Sequence, residues 1–365
     1  MNELPCKRSA LRGPSRSSGR NQRRLTNDRL IDHKEIQWIS TPRLSVHLLN
    51  GSMGVAMVHN RLIVQGNYDS VMHPAQPGKP AQLDIVMAVR LLARDPWATG
   101  PHPLSLVTTE HLAPHKDARH KASIADVNRT LFPCESWLAS EFSAFSAKFK
   151  NRVELAWNNQ LILLPPDGSQ PGETISDDTY RAFISTPNVP AHVRCGLKLV
   201  MLPAGDPTTP HVIMEALKLR AHSGGFRSYQ FRITDEDADF SKIQAGESTY
   251  HQITVAHEVG HWLGQDVSLA SRARYLQHVD AAACSAAGHA ANSSCEYGRT
   301  AGTKMALLGM GSLLTPYEAK AWLLRAARHT QVLFGWRYVH RVHFEKGMVP
   351  VSDRQKRLAK PAGAP

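Results

Sequence analysis

The sequence predicts an α+β fold in which a mixed sheet packs on one largely apolar helix, with disordered basic ends. Three observations lead there. Apolar runs of strand length, bounded by prolines or polar clusters, are interspersed with segments that carry helix-cap signals. Hydrophobic residues make up 42% and charged residues 20% of the 365 positions, enough to bury a core in one large domain or two modest ones. The net charge of +12 is gathered at the termini: residues 1–36 hold nine Lys/Arg against four Asp/Glu and residues 341–365 six against two, so the ends supply nine of the twelve. The body between them is nearly neutral and carries no nucleic-acid-binding motif, so no nucleic acid is expected on the core. No run of about 18 apolar residues occurs, so no membrane span is expected. The basic N-terminus has no apolar stretch behind it and is not a secretory signal. The expected location is the cytoplasm, or outside the cell by a signal-independent route. Oligomeric state is not readable from the sequence.

The elements follow in order. Residues 1–36, rich in Arg, Ser and Asn, are expected as a disordered tail. Residues 37–140 form a strand and loop region without an interpretable motif: strands over Leu44–Leu49 and Arg61–Val64, a helix over Leu83–Ala93, and loop over 94–125. His102, His111, His115 and His120 lack ligand-like spacing there and are expected at the surface. The domain expected to carry the chemistry spans 141–345. Glu141–Lys150 reads as an amphipathic helix, and Val153–Leu164 includes a strand ending at Pro165-Pro166. Gly196–Leu202 is an apolar strand, whereas Val212–Leu219 suits strand or helix equally. Tyr229, Phe231 and Ile233 alternate with polar residues, the pattern of a half-buried strand. The acidic run 234–239 lacks the spacing of a calcium loop and reads as a solvated turn. A helix is expected over 250–263, helix-prone sequence over 268–283 and loop over 285–304. Thr315-Pro316-Tyr317-Glu318 then combines a cap, a proline at the first helical position and a capping-box Glu, opening a helix to about His329 with Trp322, Leu323 and Ala326 inward. Residues 346–365 are expected as a second disordered basic tail. Five cysteines, Cys6, Cys134, Cys195, Cys284 and Cys295, are too few for a disulfide scaffold. Cys284 and Cys295 are close enough in sequence to close a loop, and in a reducing compartment are expected as free thiols.

Residues 257–261 read His-Glu-Val-Gly-His. On a helix the two His lie one turn apart on one face and can share a single zinc ion, while Glu258, displaced around the helix, can reach a water on it. Thr249 and Gln252 have capping-box spacing, and Ile253, Val255, Ala256, Val259, Trp262 and Leu263 make the segment apolar. Turning His, Glu and His inward without a partner would cost about 1–3 kcal/mol per unpaired group, so their presence on an apolar helix points to a metal. Gly260 lets another segment approach between the two His, and Gly264 suits a left-handed stop.

The order of strands, His-Glu-x-x-His helix, closing glycine, Met-Gly loop and final helix over residues 140–330 resembles the metzincin-like zinc metallopeptidases. The resemblance implies a zinc-peptidase domain with the mixed sheet packed on the active-site helix, a Zn2+ cofactor held by His257 and His261, and Glu258 as general base for hydrolysis of a peptide bond in a protein or peptide substrate. Met305 and Met310, ahead of Gly311, stand where the family has a methionine-containing turn. The family's third His falls at Val267 in this chain, and valine cannot bind zinc. His278 is the leading replacement, with Asp266 and Glu296 as alternatives. An unbroken helix would carry His278 about 25 Å from His261, so His278 can serve only if the chain reverses near Gly264. Tyr275 and Tyr297 are close enough in sequence to be considered for the oxyanion. The competing expectation is a catalytically inactive, peptidase-like binding module that lost its third ligand at Val267.

Overall fold

A computed structural model describes residues 68–94, 114–116, 122–125, 131–158, 160–168, 175–220, 228–264, 276–290, 293–332 and 334–359. The expected tail 1–36, the strands at 44–49 and 61–64, and Asp266, Val267 and Tyr275 lie outside the described residues, as do His102, His111 and His120.

The chain runs β1 (Asp69–His73), β2 (Ala81–Ala93), β3 (Pro114–Lys116), β4 (Ala122–Ala125), β5 (Leu131–Glu135), α1 (Ala139–Trp157), β6 (Leu161–Leu164), α2 (Asp177–Arg181), β7 (Val193–Met201), β8 (Val212–Leu219) and β9 (Arg232–Thr234). It continues through the hairpin β10 (Phe240–Ala245) and β11 (Ser248–Ile253), α3 (Thr254–His261), α4 (Ala281–Ala286), α5 (Ala301–Lys304), α6 (Pro316–Thr330), β12 (Arg337–His340), α7 (Arg341–Glu345) and α8 (Asp353–Ala359). Ten strands form one mixed sheet in the order β12-β6-β7-β2-β8-β5-β4-β3, with β1 added to β2 and β9 to β8. The architecture is α+β with a mixed sheet, as the sequence predicts.

β2 is the spine of that sheet and corrects the helix expected at Leu83–Ala93. It pairs in parallel with β7 over Ala81–Val89 and with β8 over Val89–Ala93, and antiparallel with β1. Its odd-numbered residues Ala81, Leu83, Ile85, Met87, Val89 and Leu91 are all buried, and Asp84 and Ala88 are buried on the other face, as befits a strand flanked by neighbours. The same partner decides Val212–Leu219 in favour of a strand, β8. Part of the loop expected at 94–125 is also sheet, as β3 and β4. Strands from before residue 140 thus share a sheet with β6, β7 and β8 from after it.

Three helices are joined on one layer by tryptophans. α1 extends beyond Lys150 to Trp157 and buries Phe145, Phe149, Val153 and Ala156, spaced three or four apart. Trp157 Nε1 donates to the Ala256 carbonyl of α3 at 3.0 Å. Its ring stacks on Trp322 of α6, centroids 5.7 Å apart, and Trp322 Nε1 donates to the Gly196 carbonyl of β7. α6 begins as its sequence dictates: Tyr317 N–H donates to Thr315 Oγ1, Thr315 N–H donates to Glu318 Oε2, and Pro316 occupies the first turn.

The acidic run folds as a 3-10 turn, Asp235–Ala238, whose carboxylates serve the backbone. Asp237 accepts from Thr234 N–H and Ser228 Oγ, and Asp235 from Leu219 N–H. The expected C-terminal tail is corrected too. Residues 346–359 are ordered through α8, where the fully buried Gln355 donates to the carbonyls of Thr186, Pro187 and Val189 and accepts from Ala191 N–H. Among the described residues no helix is long and apolar enough to cross a membrane.

Candidate metal centre

The motif helix is short and, after its first residue, internal. Residues 255–261 of α3 are all buried, and the helix starts at Thr254, not near 250. The Thr249–Gln252 capping box does not form. Residues 248–253 pair instead with 240–245, from Ser248 opposite Ala245 to Ile253 opposite Phe240, so the ladder takes the backbone groups a cap would have served. Thr249 Oγ1 donates across the hairpin to Gln244. The helix ends without a left-handed glycine as its cap: Trp262 is the C-cap at φ −74° and ψ −11°, and Leu263 and Gly264 donate back to Gly260 and His261. Gly260 is required by a close approach. A Cβ there would lie 2.8 Å from Trp157 Cζ2 and 2.9 Å from Leu308 Cδ2.

The three imidazoles of His257, His261 and His278 converge. Their ring centroids are 5.0–5.4 Å apart, and one nitrogen from each falls within 4.8 Å of the others, a group that can hold a metal ion. The chain makes the required return. Leu276 N–H donates to the His261 carbonyl at 2.8 Å, and His261 Nδ1 donates to the Leu276 carbonyl at 2.5 Å. Two residues later His278 faces the helix.

Each ring has its Nδ1 occupied. His257 Nδ1 donates to the Leu307 carbonyl at 2.7 Å. Gln252, at the end of β11, lies 2.9 Å from the same nitrogen and spends its amide hydrogens on the Gly309 carbonyl at 2.8 Å and the Leu307 carbonyl at 3.5 Å. His278 Nδ1 donates to Glu296 Oε2 at 3.2 Å. These partners assign the Nδ1–H tautomer to all three rings and leave each Nε2 lone pair for a cation. Glu296, an alternative donor from the sequence, stands behind His278 as its hydrogen-bond acceptor.

Electrostatics favour the neutral, metal-ready state. Burial and the neighbouring imidazoles hold His257 well below the usual histidine range and His261 at about 4. Burial also lowers His278, against the opposing pull of Glu296. Glu258 is buried, and burial followed by the charge of Asp237 pushes its carboxyl well above the ordinary value. Its Oε2 lies 4.0 Å from His261 Nε2, and with the imidazole neutral this is proximity, not an ion pair. A cation at the three Nε2 atoms would reverse the balance toward the carboxylate.

The loop Met305–Gly311 meets the centre through its backbone. The Leu307 carbonyl holds His257, the Leu308 carbonyl accepts from Val279 N–H, and the Leu308 N–H donates to Glu318 Oε1 at the head of α6. Met305 is 46% exposed and Met310 half-buried. Tyr297 packs on His278 with ring centroids 3.9 Å apart. Cys284 and Cys295, which are close enough in sequence to close a loop, are joined in a disulfide, and Cys134 and Cys195 are buried.

The acceptors at Leu276 and Leu307 went unread in the sequence, because backbone carbonyls carry no residue signature. Gln252, read in the sequence as part of a capping box, instead donates to the carbonyls of the 305–311 loop. A cavity of about 200 Å³ lined by Leu161, His192, Arg194, Arg341 and Phe344 contains none of the centre's residues. Comparison of the chain with protein-family models, with curated proteins and with solved structures finds no match.

Proposed function

We propose that this chain is a zinc-dependent metallopeptidase with a metzincin-like arrangement, holding Zn2+ through His257, His261 and His278. The observation that carries the reading is the meeting of three neutral imidazoles beside a buried glutamate that is itself part of a His-Glu-x-x-His helix. Three nitrogen donors are the protein's share of a catalytic zinc site, whose fourth position goes to water or substrate. When bound, the ion supplies Lewis acidity toward a substrate carbonyl.

The protein's own residues do the rest. Glu258 takes the proton of the attacking water and returns it to the departing amine, with its proton affinity set by burial and by Asp237. Leu307, Leu276 and Glu296 fix the tautomer and aim of the three rings. The presence of His278 in the cluster counts against a module that lost its third donor at Val267. The test is Glu258→Gln in the full chain. Zinc content should stay near one per chain while peptidase activity falls about 10²- to 10⁴-fold, the usual worth of a positioned proton acceptor. Parent-level activity in a zinc-loaded variant overturns the mechanism.

A further inference from the structure

The three donors are not held in the same way. His257 and His261 sit on one helix and give their Nδ1 hydrogens to backbone carbonyls, Leu307 and Leu276. His278 is off the helix and gives its Nδ1 hydrogen to a side chain, Glu296. A side-chain acceptor is only as fixed as the backbone beneath it.

The backbone beneath Glu296 is closed by a covalent bond. Cys295 precedes Glu296 and is bridged to Cys284, whose side chain is fully buried and whose N–H donates to the Asp280 carbonyl. Residues 284–295 therefore form a ring that brings 296–297 back onto 278–280. The return is sealed at its neck, where Asp280 N–H donates to the Glu296 carbonyl at 3.0 Å and Arg299 N–H to Asp280 Oδ2 at 2.6 Å. Tyr297 closes over the His278 ring. On the other side of His278, Val279 N–H is tied to Leu308. His278 is thus held between the 305–311 loop and a segment closed by a disulfide.

We infer that Glu296, anchored by the Cys284–Cys295 disulfide, is the positioning residue for His278, so that metal affinity depends on the oxidation state of that bridge. This rests on the metal reading above. Reduction by a phosphine balances simply: the S–S bond breaks, each sulfur leaves as a thiol with one proton from water, and the phosphine takes the water oxygen as its oxide. The freed ring relaxes, Glu296 withdraws from Nδ1, and the third imidazole loses both its aim and the basicity its carboxylate partner lends.

The experiment measures the zinc dissociation constant of the full chain by competition with a chromophoric chelator, before reduction and after phosphine treatment and desalting. Loss of an orienting partner costs about 10- to 100-fold in metal affinity, and that weakening is expected on reduction. A Cys284→Ala/Cys295→Ala chain, which has no thiol of its own to offer the metal there, should bind as weakly and ignore the phosphine. With the bridge intact, Glu296→Ala should weaken binding comparably. Glu296→Gln, whose amide oxygen still accepts the Nδ1 hydrogen, should recover part of the loss. Equal affinity in the oxidised and reduced parent, or Gln no better than Ala, overturns the coupling while leaving a zinc protein. No zinc bound in either redox state overturns the coupling and the metal reading together.

Discussion

The two halves of the centre were built by different means. His257 and His261 come from eight residues of helix, and Gly260 between them lets Trp157 and Leu308 press against the backbone. His278 arrives from a separate segment, held by one hydrogen bond to a carboxylate and by a ring of chain closed on itself. The helical half is a property of local sequence; the other half is a property of the tertiary structure. A binding site can therefore look complete from one motif and still owe its third donor to residues that no motif contains.

Removing donors tests that contrast most severely. His257→Ala and His278→Ala should each weaken zinc binding by more than about 100-fold, the upper limit for loss of a mere orienting partner. Metal titration decides, and a His278→Ala protein that binds like the parent would return the third position to Asp266 or Glu296. Next comes the packing that the helical half depends on. Gly260→Ala forces a methyl against Trp157 and Leu308 and should cost about 1–3 kcal/mol by urea unfolding, with a zinc affinity that suffers as well. A neutral result would mean that α3 has slack that its contacts do not suggest.

The smallest effect comes from a histidine remote from both halves. Burial, then Arg325, holds His329 at about 4 against an ordinary 6.5. A folded value below the unfolded one gives stability that is present above pH 6.5 and is lost as pH falls toward 4. The metal-free chain should lose stability across that window. His329→Gln should flatten the loss by about 1–2 kcal/mol after allowance for partial exposure, and an unchanged pH profile would refute it.

How much of this was legible depends on what competed locally. Thr315 and Glu318 capped α6 as their spacing predicts, because no strand contends for those residues. Thr249 and Gln252 have similar credentials and form no cap, because the β10–β11 ladder claims them. Leu83–Ala93 carried a partial strand signal: the odd positions are all apolar, while polar Gln82, Asp84 and Arg90 fall on even ones, although Asp84 and Ala88 are buried as well. As a mixed apolar run it suited a helix, and the strand's partners, β7 and β8, begin a hundred or more residues later. The helical donors and Glu258 could be read from five adjacent letters. His278 could be proposed only by supposing a chain reversal, and its holders Leu276, Leu307 and Glu296 emerge only once the fold has been made.

Gln355 carries a practical consequence. It is a polar plug: its one amide stitches four backbone groups between Thr186 and Ala191, and nothing in its basic, tail-like surroundings advertises the fact. Anyone trimming the chain at residue 345 to tidy its charged end would pull that plug and uncork the groups it satisfies, whereas a cut after Ala359 leaves the stopper in its socket.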